Sequence, residues 1–355
     1  MDADDVQRPD VPFFSVVVPF KNAEEHFRHS LPAFTALDFK NVEFILVDNG
    51  SSDGSVRLAQ EWASTHPERR WTLLSESTPG AAAARNRGAE VAKSDWLVFT
   101  DADCLPDRLW LTDLATAAVA APPEVAALAG CIQPAPLPSL TARFLGLYTL
   151  PPILVPQTYR AYTLVSGGFP SANFAVRLNA FRAVNGMDTS YASAGEDHDF
   201  CRRLYSAGFT IRTLPNAVVR HRHRDSLWAM LHQTFRFGTA HARLLKTQPS
   251  GVFIIQTPGI SLIHHSRARI WMDLNQADKK LLGILILAGF WPPGACLIPI
   301  YLLFLAAAIF RRAMRRGVPL AWWESGPAAL FLVAKAAALT AGRLTGSLRH
   351  RVLCV

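Results

Sequence analysis

The sequence predicts an α/β fold in which a mostly parallel sheet is covered by helices on both faces. Three short apolar runs have the length and composition of buried strands, at residues 14–19, 42–47 and 96–100. Amphipathic stretches typical of helices lie between and after them, at residues 23–37, 54–66 and 80–93. Strands that alternate with helices in this way favour a parallel sheet.

Polar residues follow each of these strands. Asn22 comes after the first strand, Asp48 ends the second, and Asp101-Ala102-Asp103 follows the third. Ligands of open α/β sheets bind at the carboxyl ends of the strands, so we expect these side chains along one sheet edge. Two acids one residue apart suit a hard divalent cation that also carries a diphosphate. The alternative is ordinary turn and helix-capping chemistry.

Five segments in order resemble the family 2 inverting glycosyltransferases, which have the GT-A fold with its Rossmann-like sheet. They span about residues 13–240 and read Val16-Val17-Val18-Pro19-Phe20-Lys21-Asn22, Val47-Asp48-Asn49-Gly50-Ser51-Ser52-Asp53-Gly54, Pro79-Gly80-Ala81-Ala82-Ala83-Ala84-Arg85-Asn86-Arg87-Gly88, Asp101-Ala102-Asp103 and Gly195-Glu196-Asp197. The resemblance implies transfer of a sugar from a nucleotide-sugar to an acceptor hydroxyl, with inversion at the anomeric carbon. It also implies a divalent metal, Mn²⁺ or Mg²⁺.

The resemblance assigns a set of residues to the nucleotide-sugar, and family habit favours UDP as its nucleotide. The set is Pro19, Asn22, Asp48, Arg85, Asp101, Ala102 and Arg236. Within it, Asp48 is expected to accept from the uracil imide, and Asp101 to bind ribose or metal. Arg85 is expected to reach the nucleotide or its phosphates, or else to lie on a solvated helix face.

Asp103 is the expected metal ligand, and the resemblance implies His221 as a second one. His221 follows the apolar stretch 217–219, which reads as a strand. A histidine after a strand is otherwise ordinary surface polarity, so both interpretations stay open.

An inverting transfer needs one general base near the acceptor hydroxyl. By resemblance Asp197 is the expected base and Glu196 the second candidate, at the start of a predicted helix over residues 196–207. Acids in a first helical turn also simply meet the helix dipole, which is the alternative. Asp199 is expected to pair with Arg203 on the helix surface. The resemblance also places Asn173, at the start of a predicted short strand over residues 173–177, beside the acceptor pocket.

Gln233, Arg236 and Phe237 share one face of a predicted helix over residues 225–246. Their spacing resembles the Q-x-x-R-W motif of polysaccharide synthases, in which the arginine contacts diphosphate and the aromatic lies beside the acceptor. Phe237 stands where the synthases have tryptophan, which favours single transfer over processive polymerisation. The alternative is a helix that packs Phe237 as core.

The 355-residue chain is long enough for a catalytic domain and a further region. We expect an N-terminal tail at 1–12, a catalytic domain at 13–248 and a C-terminal membrane-associated region at 249–355. The donor half would cover residues 13–130 and the acceptor half 131–248. Five scattered cysteines indicate no disulfide framework, and the acidic N-terminus does not resemble a signal peptide.

The C-terminal region combines apolar runs with basic clusters. Residues 281–310 carry no charge and are broken by Pro292-Pro293, which predicts a re-entrant hairpin with arms too short to span, or alternatively a kinked span. A basic cluster follows at 311–316, and 328–341 is expected to be an interfacial helix.

Residues 311–355 contain eight Lys or Arg and one acid, so most of the net charge of +8 is local to the tail. This favours an anionic membrane surface over nucleic acid as partner. We therefore expect attachment to the cell membrane, with the catalytic domain on the cytoplasmic side and a lipid or lipid-linked glycan as acceptor.

Two hypotheses from other classes of protein stay open. A nucleotidyltransferase also uses a Rossmann-like sheet and a metal, but its Gly-rich loop after the first strand is missing here. A non-catalytic membrane scaffold with a transferase fold is the other, and the intact acids at 48, 101, 103, 196 and 197 argue against it.

Overall fold

The computed structural model describes residues 13–136, 139–150, 152–191, 194–257 and 260–355, so the predicted tail at 1–12 lies outside the described residues. The chain divides into two compact units. The first covers the chain to Ala135 and from Leu150 to Arg222, and the second contains Pro136–Thr149 and His223–Val355. The units therefore divide the chain at 222 rather than at the expected boundary of 248, and 136–149 joins the second unit.

Four strands of the first unit form the parallel part of its sheet. They are β1 (Phe14–Phe20), β2 (Val42–Asp48), β3 (Arg70–Ser75) and β4 (Trp96–Thr100). Their order is β3-β2-β1-β4, and each neighbouring pair is parallel. This confirms the predicted strands and brings the carboxyl ends of β1, β2 and β4 to one edge.

The sheet continues past β4 with mixed strand directions. The further strands are β5 (Cys104–Pro106), β6 (Val125–Pro134), β7 (Thr158–Tyr159), β8 (Asn173–Arg177) and β9 (Thr210–His221). Strand β8 is antiparallel to both β4 and β6, while β9 is parallel to β6 and antiparallel to β5. The predicted short strand at 217–219 is thus the end of a 12-residue strand.

Helices cover both faces of this sheet, as predicted. They are α1 (Glu24–Thr35), α2 (Ser55–Thr65), α3 (Ala81–Val91), α4 (Trp110–Val119), α6 (Leu178–Ala183) and α7 (Glu196–Ser206). Alternating residues of β1 enter two separate cores because side chains of a strand point to opposite faces. Val16 and Val18 pack in the core that contains Phe27 of α1, whereas Val17 packs in the core that contains Phe200 of α7.

The described residues of the second unit form five α-helices and a small sheet. The helices are α5 (Leu140–Tyr148), α8 (Leu227–Lys246), α9 (Ala277–Phe290), α10 (Leu297–Arg316) and α11 (Ser325–His350). The described residues of the sheet form β10 (Val252–Thr257), β11 (Ile260–His265), β12 (Ile270–Asp273) and β13 (Leu353–Cys354), in the order β11-β10-β12-β13.

Helices α8 and α11 pack with their backbones in close approach. A Cβ added at Gly342 would overlap the carbonyl oxygen of Phe235, so only glycine fits there. The adjacent Arg343 is buried, lies 4.6 Å from the centre of the Trp271 ring and pairs with Asp273 at 3.3 Å. This contact fixes α11 against β12.

Two helical stretches are long and apolar enough to cross a membrane, judged by length and composition only: Pro292–Arg316 and Trp322–His350. The break at Pro292 is a short 3₁₀ turn, Pro292–Cys296, as the proline pair predicts. The expectation that both arms are too short is wrong for the second arm, because α10 continues through the basic cluster for 20 residues, about 30 Å. The expected interfacial helix at 328–341 is likewise part of the 26-residue α11.

Candidate active site

The loops after β1 and β2 hold each other through side-chain hydrogen bonds. Asn22 Oδ1 accepts from the backbone N–H of Ser52 at 2.8 Å, and the Asn22 N–H donates to Ser51 Oγ at 2.9 Å. Asp48 Oδ1 accepts from the N–H of Ser51 at 3.0 Å. Asn22 and Asp48, which are predicted to bind the nucleotide-sugar, therefore lie on two loops at the sheet edge that are hydrogen-bonded to each other.

Two other residues that are predicted to bind the nucleotide-sugar are buried. Pro19 lies within β1 opposite Val47, and Ala102 is 7% exposed between Asp101 and Asp103. Their roles toward a nucleotide-sugar stay predictions.

Arg85 is the buried centre of the site. It lies on α3 and is only 3% exposed. Its Nη2 donates to Asp101 Oδ1 at 2.8 Å, and its Nη1 lies 3.4 Å from Glu196 Oε1 and 3.8 Å from Asp197 Oδ1. The alternative of a solvated helix face is therefore wrong, because Arg85 is buried, while its expected role in nucleotide binding stays a prediction. The guanidinium is already committed to three carboxylates, so it positions these acids.

The acidic cluster around Arg85 alters proton affinities. Burial alone lowers the pKa of Arg85, but the carboxylates of Asp101, Asp197 and Glu196 outweigh it and leave that pKa above its ordinary value. Burial and, second to it, the charge of Asp197 raise the pKa of Glu196 to about 7, while Arg85 opposes the rise. Glu196 is consequently the acid that titrates near neutral pH.

The start of α7 delivers the two candidate bases. Gly195 has φ +96°, a left-handed conformation that side-chain-bearing residues rarely adopt, and the helix begins at Glu196. Asp199 pairs with Arg202 and Arg203 at 2.6 and 2.7 Å, which confirms the expected helix pair. Asp199 is buried, however, and does not lie on the surface.

Asp197 is held on its other side by the segment before β8. Its Oδ2 accepts from the backbone N–H of Ser171 at 3.2 Å. Thr100, at the end of β4, donates from Oγ1 to the carbonyl oxygen of Ala172 at 2.9 Å. Glu196 Oε2 and Asp197 Oδ1 are buried and accept no hydrogen bond from the described residues.

Asp103 and His221 form the expected pair of metal-ligand type. His221 Nε2 lies 3.4 Å from Asp103 Oδ2, because β5 pairs with β9 in the register Cys104↔His221. A carboxylate and an imidazole suit Mn²⁺. Among the residues the structure describes, no group of three or more His, Cys, Asp or Glu could hold a metal. Asp103 and His221 would therefore provide only two positions of an ion, and phosphate oxygens and water would have to fill the others.

Asn173 is a buried polar residue, and its expected role beside an acceptor pocket stays a prediction. It is 1% exposed, and its amide is used within the core. Oδ1 accepts from Trp110 Nε1 at 2.9 Å, while Nδ2 donates to the carbonyl oxygens of Cys131 and Ala217, each at 2.9 Å. The asparagine thus ties α4, β6 and β9 together and is structural.

Gln233, Arg236 and Phe237 lie on α8, which belongs to the second unit. Phe237 is 36% exposed and does not form part of the buried core, so the alternative of core packing is not supported. Their expected roles toward donor and acceptor stay predictions.

Sequence reasoning missed two residues of the site, Ser171 and Arg222. Ser171 orients Asp197 through its backbone, which no side-chain pattern reveals. The N–H of Arg222 donates to the carbonyl oxygen of Asp103 at 3.0 Å, and its guanidinium pairs with Glu25 at 3.1 Å. The alternation of Arg and His at residues 220–224 was the signal for a basic strand end opposite Asp103.

Arg85→Gln should destabilise the first unit by about 2–4 kcal/mol, because it removes a buried cation and leaves three partly buried carboxylates without their partner. Arg87→Gln is the matched control on the same helix. It removes an exposed pair with Glu90 and should change stability by less than about 1 kcal/mol. Urea unfolding of both purified variants measures the difference, and equal midpoints would show that Arg85 does not hold the cluster.

The raised pKa of Glu196 predicts a pH dependence of stability. Between about 4.5 and about 7 the folded protein keeps a proton that the unfolded chain releases, so the free energy of unfolding falls as pH rises through this window. When the pH is raised from about 5 to about 8, the melting temperature of Glu196→Gln should therefore fall less than that of the unchanged protein. Glu90→Gln, an exposed change, should not flatten the profile; identical profiles for all three proteins would contradict the assignment.

Comparison with known proteins agrees with this geometry. Two family models match, glycosyl transferase family 2 over residues 15–181 and the N-terminal domain of galactosyltransferase over residues 158–225. The chain is 30% identical to the pre-mycofactocin glycosyltransferase of Mycobacterium tuberculosis over 279 residues, which is 77% of this chain and 55% of that protein. The chain thus spans about half the length of this relative.

Further relatives extend the comparison. Glycosyltransferase AglE of Haloferax volcanii is 34% identical over 103 residues, 28% of this chain and 34% of that protein. The mannosyltransferase PcManGT from Pyrobaculum calidifontis, solved in complex with GDP-Man and Mn²⁺, superposes with a TM-score of 0.53 at 19% identity. The match covers 92% of this chain and 86% of that one, and it shows a shared fold. The chain therefore belongs to glycosyl transferase family 2.

Proposed function

We propose that this chain is a metal-dependent inverting glycosyltransferase that moves a sugar from a UDP-sugar to a hydroxyl group of a lipid or lipid-linked glycan, one sugar per encounter. The observation that carries the proposal is the convergence of two acidic groups at one sheet edge. Asp101 and Asp103 come from the end of β4, while Glu196 and Asp197 come from the start of α7 and share Arg85 with Asp101.

The donor half of the proposal uses the loops after the strands. The second carboxylate oxygen of Asp48 accepts no hydrogen bond from the described residues. It is therefore available to accept one from an N–H group of the uracil ring. Asp103 and His221 would hold Mn²⁺ or Mg²⁺. Such an ion supplies positive charge to the nucleoside diphosphate as it departs.

The acceptor half of the proposal uses Asp197 as general base. Its carboxylate takes the proton of the acceptor hydroxyl as that oxygen bonds to the anomeric carbon and the bond to the diphosphate breaks. Asp197 is the better candidate because its side chain is 21% exposed, against 13% for Glu196. The Ser171 N–H holds Asp197 Oδ2 at 3.2 Å, which fixes the orientation of the carboxylate, while Oδ1 is turned toward Arg85.

The membrane part of the proposal depends on the second unit. Its two long apolar helices and the basic cluster at their junction support attachment to an anionic cytoplasmic surface. An acceptor that carries a lipid would share that surface.

Metal-supported donor binding is the first test of this function. Asp103→Ala should weaken the binding of UDP in the presence of Mn²⁺ by at least about tenfold, since even outer-shell changes cost about 10–100-fold in metal affinity. The control is Asp113→Ala on α4. A thermal-shift titration with UDP, GDP and Mn²⁺ measures it, and undiminished UDP binding in a chelator would overturn the metal role.

Turnover is the second test. Asp197→Asn should bind UDP within a few-fold of normal yet release UDP from a UDP-sugar roughly 10²-fold more slowly, the scale of general-base catalysis. If Glu196→Gln is inactive while Asp197→Asn is nearly normal, the general base is Glu196 and not Asp197. Release of pyrophosphate from a nucleoside triphosphate would indicate a nucleotidyltransferase instead, and a polymeric product would indicate a processive synthase.

A further inference from the structure

An open cavity of about 530 Å³ lies in the second unit at the basic end of α10. Four arginines line it together with Tyr148, Phe304 and Ala308; they are Arg311, Arg312, Arg315 and Arg316. We name these seven residues the arginine pocket. None of them belongs to the candidate active site.

The arginine pocket carries positive charge without acidic partners. Among the described residues, no carboxylate lies within 4.0 Å of any of its four guanidinium groups. Glu324, an acid of the same unit, is taken by Arg143, to which it pairs at 2.5 Å. Arg312 Nε is buried and has no hydrogen-bond partner in the described structure. Four like charges in one cavity repel each other, so an anionic ligand would lower the energy of the arrangement.

Two of the arginines are held in place before any ligand arrives. The guanidinium of Arg312 lies 4.6 Å from the centre of the Tyr148 ring, a cation–π contact. Arg316 Nη1 donates to the carbonyl oxygen of Leu147 at 3.1 Å. Guanidinium groups that are already fixed lose less conformational freedom when they bind a phosphate.

An apolar surface continues from the pocket along α10. Phe304 lines the pocket and is 66% exposed, and Leu303 and Ile300 before it are also exposed. A ligand that joins a phosphate to long apolar chains fits this sequence of surfaces, whereas a free phosphate would use only the arginines. Basic pockets beside membrane helices recognise anionic lipid head groups in this way.

We propose that the arginine pocket binds the phosphate of an anionic glycerophospholipid, with the acyl chains along the exposed face of α10. The proposal rests on the membrane attachment proposed above. Guanidinium groups hold phosphate oxygens through paired N–H···O bonds, so two or more of the four arginines would share one phosphate. The bound lipid would then fix the depth of α10 at the membrane surface.

The test measures binding of short-chain lipids to the detergent-solubilised full chain by microscale thermophoresis. The probes are dioctanoyl phosphatidylglycerol, dioctanoyl phosphatidylcholine and inorganic phosphate. We expect phosphatidylglycerol to bind at least about tenfold more tightly than either other probe, since the arginines repel the choline cation of phosphatidylcholine and inorganic phosphate has no acyl chains to bury. Equal binding of phosphatidylcholine, or inorganic phosphate binding as tightly as phosphatidylglycerol, would overturn the lipid assignment.

Two double variants separate the pocket from overall charge. R312Q/R315Q should lose about tenfold or more in phosphatidylglycerol affinity. R267Q/R349Q removes the same charge at exposed positions of the same unit and should stay within about twofold. Equal losses in both variants would overturn the pocket in favour of general electrostatics. Arg312→Lys keeps the charge but not the paired donors, so its full affinity would also contradict the proposal.

Co-sedimentation with vesicles keeps this inference distinct from the proposed function. Binding to phosphatidylglycerol vesicles that R312Q/R315Q weakens supports the pocket. Equal binding of the unchanged protein and R312Q/R315Q to those vesicles would overturn the pocket while membrane attachment stands. Failure of the unchanged protein to bind any vesicle would contradict the attachment itself and the pocket with it.

Discussion

The guanidinium of Arg85 joins two parts of the sheet edge that the sequence keeps far apart. Asp101 lies 16 residues from it and Glu196 lies 111 residues from it, yet both carboxylates face the same buried side chain. The strand order creates this meeting, since β4 is flanked by β1 on one side and by β8 on the other. The relative position of the donor-side acid and the candidate bases therefore depends on one cation.

This cation is outnumbered, and the imbalance explains much of the site's chemistry. Asp101, Glu196 and Asp197 surround Arg85, whose single positive charge cannot neutralise all three carboxylates. The pKa of Glu196 is therefore raised both by burial and by the negative charge of Asp197. A diphosphate that approached Asp101 and Asp103 would meet further negative charge. Asp103 and His221 are a pair that suits a divalent cation, and such an ion would supply positive charge to the diphosphate.

Periodicity and strand-end polarity were enough to predict β1, β2 and β4, the helices α1, α2 and α3, and the edge on which the acids meet, because these depend on local pattern. Strands β3 and β6 and helix α4 were not predicted. The approach of His221 to Asp103 followed from family resemblance, and the β5–β9 register is its physical cause. The burial of Arg85 and the core hydrogen bonds of Asn173 were not predictable, since each depends on distant partners. The lengths of α10 and α11 were underestimated because charged residues within a helix do not end it.

A double-mutant cycle on Arg85 and Asp101 tests the central claim most directly. The free energy of unfolding is measured for Arg85→Gln, for Asp101→Asn and for the combination. If the buried guanidinium holds the acids in place, the double variant is more stable than the sum of the single losses predicts, by about 1–3 kcal/mol, because neither partner is left alone. Losses that add within about 0.5 kcal/mol would show that the two side chains act independently. In that case Arg85 does not hold the acids of the site in place.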